Sequence, residues 1–328
     1  MGPTNSDHTT KDHSGSKSSS NSSSTKSSKS NATSSKSSVP TIVISQSDYI
    51  AKQSGLDSSL DRLLKQRWKK ALENGAMKYD IIQQPLPSRL IASCRYNFIA
   101  SLNEGRGPGQ RRTPQEMMAL RIPFDPSRFN FTKINPNELL FRLKSNDSLV
   151  HTVIVNKSPI GYCSSLLVPS LEQCLPQVLT EDSLRLAIQF LCLSDQQSLR
   201  LGFNSAGAMA SVNHQHWHIY YFEYKLTVED LPVKNHLLQN WPIPAIVFEL
   251  PELNDIAINS VVTKAMKIIN FCLDSGQISH NLFLTRTGTG TIRLFICTKE
   301  IFSTLDEEDC LKLLLSIHSH HEDVLHLL

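Results

Sequence analysis

The sequence has no CxxC pair, no long apolar run, no dense basic block and no apolar segment near its first residue. Each absence removes a class of function. The seven cysteines, Cys94, Cys163, Cys174, Cys192, Cys272, Cys297 and Cys310, are odd in number and scattered. Such spacing argues against a disulfide scaffold or a zinc knuckle and suits the reduced thiols of a cytoplasmic protein. Without a run long enough to cross a bilayer, and with a polar N-terminus, neither a membrane partner nor a signal peptide is expected. The formal net charge of +3 owes much to the N-terminal tail. The folded part is therefore nearly balanced, and electrostatics give no case for a nucleic-acid partner.

What is present divides into two parts. Residues 1–40 are mostly Ser, Lys, Thr, Asn and His, with no apolar periodicity, and cannot repay the entropy of ordering; a disordered Ser/Lys-rich tail is expected. Residues 41–328 carry the patterns of one domain. Val39 to Ser47 suits a short strand or a hydrophobic segment docked on the domain. From Asp57, Leu60, Leu63, Leu64, Trp68, Ala71 and Leu72 recur at helical spacing, with Asp57 as a cap and Gly75 as a stop. The Gly-Pro-rich loop after the RYNFIASLNEGR segment carries Arg106, Arg111 and Arg112, which suit an anion or a plain connector. Phe124, Phe129 and Phe131 suit core packing or a wall for a base.

Strands are predicted at Glu138–Leu143, His151–Asn156, Leu166–Val168 and Leu199–Phe203, with a turn at Ser145–Asp147 and a helix after Thr180. Beyond them, Ala245–Leu250, a helix over Asp255–Ser275, a strand pair from His280 and Thr291, and a helix near Thr304 repeat the preceding order in outline. The expected fold class is α+β, an antiparallel sheet with helices, in two related halves of which the second runs from about 245 to 328.

Late in the first half stands GFNSAGAMASVNHQHWHIYYFEY, where His214, His216 and His218 alternate with Gln215 and Trp217. The β-branched and aromatic residues that follow make Ser211–Phe222 read as extended, which puts three imidazoles on one face about 6.5 Å apart. A shared zinc ion fits poorly, because His214 and His218 would be about 13 Å apart and all three rings could meet one ion only in line. Two neighbours with a distant ligand from His236, His280 or the cluster His318, His320, His321 and His326 keep a metal site open. A row of histidines that merely fills a polar face would be costly to pack. Covalent catalysis suits the spacing best: one neutral imidazole attacks phosphorus while its neighbours donate hydrogen bonds to the phosphate oxygens. The small residues Ser205–Ser211 would let backbone N–H groups approach a phosphate.

The segment His214-Gln-His216-Trp-His218-Ile-Tyr220 resembles the motif of the histidine-triad superfamily. With RYNFIASLNEGR, PFDPSRFNFTKINPNELLFRL, VNKSPIGYCSSLLVP and SHNLFLTR, the stretch from about Asp57 to Lys299 resembles the GDP-hexose phosphorylases, in the galactose-1-phosphate uridylyltransferase-like branch. The resemblance implies a histidine-triad-like fold with two halves. It also implies phosphorolysis of a GDP-hexose, GDP-D-glucose foremost, by a nucleotidyltransferase acting through a guanylylated histidine. By that resemblance His216 is the nucleophile and His214 and His218 assist it. Ser211, with the adjacent backbone, would hold the α-phosphate, Asn213 would also bind substrate, and Asn156 would meet the ribose hydroxyls. Arg106 and Lys133 would serve the guanine or incoming phosphate. No metal and no cofactor are implied; the partners are GDP-hexose and inorganic phosphate, with a homodimer left open.

Two departures from the family pattern are visible. Cys163 and Ser164 stand where the family has Gly-His, and the chain after Thr298 looks shorter by a strand and a helix, which would expose a sheet edge. Two rival functions stay open: a nucleotide hydrolase or phosphoramidase with water as acceptor, and a catalytically weak guanine-nucleotide-binding protein.

Overall fold

The computed structural model describes residues 39–298 apart from 51–53, 55, 92–95, 97, 107–114, 116, 118, 146–147 and 277. The expected tail, Arg111 and Arg112, the centre of the turn at Ser145–Asp147, the helix near Thr304, the C-terminal histidine cluster and the departure after Thr298 lie outside the described residues.

Among the described residues, strands and α-helices follow in the order β1 (Thr41–Val43), α1 (Ser59–Glu73), β2 (Ser88–Ile91), β3 (Phe98–Ser101), β4 (Leu139–Lys144), β5 (Val150–Val155), β6 (Ser165–Val168), α2 (Glu181–Cys192), β7 (Leu199–Asn204), β8 (Trp217–Tyr221), β9 (Val233–Lys234), β10 (Leu237–Leu238), β11 (Ala245–Leu250), α3 (Asp255–Ser275), β12 (His280–Arg286) and β13 (Ile292–Thr298). All strands but β2 and β3 join one sheet in the order β1-β4-β5-β6-β8-β7-β12-β13-β11-β10-β9, while β2 and β3 form a separate antiparallel pair. Within the large sheet every pairing is antiparallel except β1 with β4. This is the expected α+β class.

The two halves are legible in the connectivity. In the first, β6, α2, β7 and β8 run in sequence and the last strand lies between the other two; β11, α3, β12 and β13 repeat the same arrangement. The halves meet where β7 pairs with β12, with Asn281 opposite Asn204 and Leu284 opposite Leu201. Helices α2 and α3 pack side by side. Leu199, Leu201, Trp217 and Ile219 join them in the main core, so the helices cover one face of the sheet.

Local chemistry sets the helix ends. Ser58, not Asp57, caps α1: its hydroxyl accepts from Asp61 N–H, and the Asp61 carboxylate accepts from Ser58 N–H. Asp57 pairs instead with Lys65. The Asp61 carboxylate is fully buried and also takes bonds from Asp195 N–H (2.9 Å), Ser194 Oγ (2.7 Å) and the Tyr221 hydroxyl (2.6 Å), which fix α1 to β8. Thr180 caps α2 and Asn254 caps α3, and Gly276 ends α3 with φ +70°, where a side chain would be strained. With 21 residues and a mean hydropathy of 1.4 in its most apolar window, α3 has the length and composition of a membrane span, which corrects the reading that no run was long enough. Here its apolar side, including Ile258, Val262, Ile269 and Cys272, is in the core.

Candidate active site

Regular strand geometry starts later than the sequence pattern suggests. Pairing of β8 begins with Leu167 opposite Trp217 and Gly202 opposite His218. His214 and His216 therefore precede the ladder. In place of a neighbouring strand, the Gln177 side chain brackets His216: Gln177 Oε1 accepts from His216 N–H at 2.8 Å, and Gln177 Nε2 donates to His216 O at 3.1 Å and Asn204 O at 2.9 Å. Gln215 is held in turn, its N–H donating to Leu175 O at 2.8 Å and its amide to Val178 O. A side chain thus does the work of a strand where the chain, having left the sheet after Asn204 for the turn at Ser205–Met209, has yet to rejoin it at Trp217.

Beyond that point the alternation holds. Trp217 points to the helices and donates to Ser183 Oγ at 2.9 Å. His216 and His218 face a cleft on the other side, their ring centroids 5.2 Å apart. His218 stacks on Tyr220, and Tyr220 on Phe222, in a near-parallel ladder along the sheet.

The ring nitrogens of the first two histidines have defined roles. His216 Nδ1 lies 2.8 Å from His214 O. A carbonyl only accepts, so the proton is on Nδ1 and the lone pair is on Nε2. His214 Nδ1 accepts from Phe131 N–H at 3.1 Å, which puts its proton on Nε2. Burial pushes the pKa of both rings down to about 4. Both are neutral near pH 7, and His216 offers an imidazole nitrogen able to attack. Phe131 packs against both rings, with centroids 5.4 and 5.1 Å away.

The cleft, about 380 Å³ in volume, is lined by His216, His218, Ser211, Asn156 and Lys133 among the expected residues. Asn156 is fixed by its Oδ1, which accepts from Ser158 N–H at 3.2 Å. Ser164 is wholly buried behind it: Asn156 Nδ2 donates to Ser164 Oγ at 3.4 Å, and Ser164 O accepts from Trp68 Nε1 at 3.1 Å. The polar residue that departs from the family pattern is thus bonded into the cleft's floor.

Two expected binders are placed differently. Asn213 is not among the cleft residues. Its Nδ2 donates to Ile122 O and Pro123 O, and its Oδ1 accepts from Gln177 N–H at 2.9 Å, so its amide is spent on framing the loop. Lys133 lines the cleft with its stem, but its ammonium is fastened to the carbonyls of Pro126, Ser127 and Arg128 at 2.6, 3.2 and 2.8 Å. Arg106 ends the short 3-10 turn Glu104–Arg106; its side chain lies outside the described ones. The turn itself is held near the cleft, since Asn103 Nδ2 and the Tyr79 hydroxyl both donate to Pro159 O, at 3.1 and 2.5 Å.

Three residues were not anticipated. Lys78 and Lys157 add positive charge to the cleft and Glu138 adds a carboxylate, leaving cations in excess as suits a phosphate ligand. Among the described residues no three His, Cys, Asp or Glu side chains are grouped to hold a metal ion. The five described cysteines are free.

Comparison with known proteins bears on this geometry. Residues 59–220, from the start of α1 into β8, match the model of the family described as "GDPGP1-like, N-terminal domain". The chain is similar to GDP-D-glucose phosphorylase 1 of Danio rerio, at 39% identity over 237 residues covering 70% of this chain and 66% of that protein. It is 35% identical over 284 residues to GDP-D-glucose phosphorylase 1 of Homo sapiens, covering 76% and 70%. To GDP-L-galactose phosphorylase 2 of Arabidopsis thaliana it is 30% identical over 273 residues, covering 74% and 61%. The chain thus spans about two thirds of the length of these relatives. Among solved structures, the yeast Ap4A phosphorylase Apa2 in complex with Ap4A aligns with a TM-score of 0.52 at 16% identity over 73% of this chain and 81% of that one, a likeness of fold.

Proposed function

The chain belongs to the GDP-hexose phosphorylase family, and from that premise we propose that it cleaves GDP-hexose, GDP-D-glucose foremost, with inorganic phosphate to hexose 1-phosphate and GDP. His216 Nε2 attacks the α-phosphorus; an N–P bond forms, and the bond from that phosphorus to the bridging oxygen breaks. Hexose 1-phosphate leaves with the electron pair. A phosphate oxygen then attacks the same phosphorus, the N–P bond breaks, GDP departs, and His216 regains its lone pair. His214 fixes the nucleophile through its carbonyl, and His218 and Ser211, lining the same cleft, face the phosphate oxygens.

The observation that carries this reading is the 2.8 Å contact between His216 Nδ1 and His214 O, which fixes a neutral tautomer with its lone pair on Nε2. The cytoplasm is the proposed compartment, in keeping with the free thiols. The test is GDP-glucose labelled in its α-phosphate: label should become covalent on the wild type and not on His216→Ala, and phosphate should release it as GDP. Equal labelling of both proteins would exclude His216 as the nucleophile. Release as GMP, independent of phosphate, would make the enzyme a hydrolase.

A further inference from the structure

One wall of the cleft, which begins at the histidines with Phe131, is apolar. Phe131, Ile154, Leu166 and Val212 pack together there, with Phe129 and Ile134 against them, and the Phe129 and Phe131 rings meet edge to face at 6.0 Å. Aromatic and branched aliphatic walls of this kind suit a planar ring.

At the margin of that wall stands Glu138, the one carboxylate among the described cleft residues. Its side chain is only 8% exposed. The reason is local: Pro136–Glu138 forms a 3-10 turn, and Glu138 folds back on its start. Three donors converge on a single oxygen, Oε1: Asn135 N–H at 3.2 Å, Asn135 Nδ2 at 3.3 Å and Lys157 Nζ at 3.3 Å. No donor among the described residues reaches Oε2. A carboxylate oxygen open to a binding cleft, with its twin held by three donors, is a preorganised acceptor for a ligand's N–H groups.

We infer that Glu138 selects the base, its Oε2 accepting from the N1–H and exocyclic amine of guanine while the ring lies against the phenylalanine wall. This rests on the reading above that the ligand is a guanine nucleotide, and adds which residue enforces it. Guanine presents two adjacent donors at that edge, which a carboxylate accepts. Adenine presents a lone pair at N1 in the same place, so that two acceptors would face each other unpaired. Lys157, held beside the carboxylate, is placed to donate to the guanine O6.

The test is equilibrium binding of GDP, ADP and xanthosine diphosphate to the full chain and to Glu138→Gln. The amide keeps an acceptor for the Asn135 turn but replaces a carboxylate oxygen with a donor. GDP affinity should fall about 10- to 100-fold with ADP changed by no more than about twofold. Xanthosine diphosphate, whose C2 oxygen accepts where guanine donates, should bind the variant more tightly than the wild type, a gain that a merely damaged fold would not give. Equal losses for GDP and ADP would put Glu138 on the shared ribose or phosphates and overturn the inference. So would an unchanged GDP-to-ADP ratio, which would leave the proposed reaction standing. A wild type without preference for GDP over ADP would overturn both.

Discussion

The Nδ1 atom of His216 lies 2.8 Å from the carbonyl oxygen of His214, two residues earlier on the same chain. Neighbours in the motif are therefore coupled through the backbone as well as through their rings. The earlier histidine orients the later one whatever its own imidazole does.

A first prediction concerns pH. Burial holds His216 near pKa 4, so its lone pair is available from neutral pH down to about 5. The rate of covalent labelling, measured in single turnovers, should be flat from pH 8 to about 5 and fall tenfold per unit below about 4. A fall that begins near 6.5 would mean an ordinary histidine at the nucleophile's position.

Gln177 is expected to matter through kcat. Gln177→Leu keeps the bulk but leaves His216 N–H, His216 O and Asn204 O without their partner. The turnover rate should drop by about 10- to 100-fold while KM for the sugar nucleotide moves little. Steady-state kinetics beside a thermal melt would check it; equal losses in kcat and in the folded fraction would reduce Gln177 to a structural part.

Stability should be lost in acid. His214, His216 and His280 are buried, and burial lowers each from about 6.5 to about 4. Above pH 6.5 these rings are neutral in both states and the stability is fully present. Between 6.5 and 4 the unfolded chain takes up protons that the native one refuses, and stability falls with pH. His280, apart from the other two, contributes on the order of 3 kcal/mol to that loss. Urea unfolding at pH 7.5 and pH 4.5 would measure the sum, and His280→Asn should flatten the slope.

The ion pair of Arg200 with Glu229, 2.6 Å apart and almost wholly buried, is expected to act on stability alone. Glu229 also accepts from Thr285 Oγ1, and Arg200 also donates to Phe222 O and Tyr224 O. Glu229→Ala should cost about 3–5 kcal/mol, because it strands a buried guanidinium. Denaturant titration would measure the loss, with KM of the remaining folded enzyme unchanged.

Elements with a strong period were legible in the sequence. Ala245–Leu250 and Asp255–Ser275 occur with the predicted bounds, since an apolar strand and a capped amphipathic helix are both written locally. That His216 and His218 share one face with Trp217 on the other was also written locally, in the alternation of His, Gln and Trp. The backbone around it was not. Ser211–His216 reads as a strand, yet its partner is a side chain from Gln177, 39 residues away along the sequence, and no periodicity encodes such a pairing. Asn213 looked like a ligand because it is polar and beside the motif, but its amide is used by Ile122, Pro123 and Gln177. Glu138 looked like the first residue of a strand; the turn made by Pro136 folds it back into the cleft wall.

The seam between β7 and β12 has a consequence for how the molecule is held together. β7 pairs with β8 along one edge and so positions His218, and its other edge is occupied by a strand from the half that lacks the motif. A chain consisting of the first half would carry that edge bare, and would have to recruit a second copy to cover it. Its competent population would then rise and fall with protein concentration. Having both halves on one chain makes that encounter intramolecular. The half without the motif acts as a tethered subunit, and what it supplies across this seam is independence from dilution.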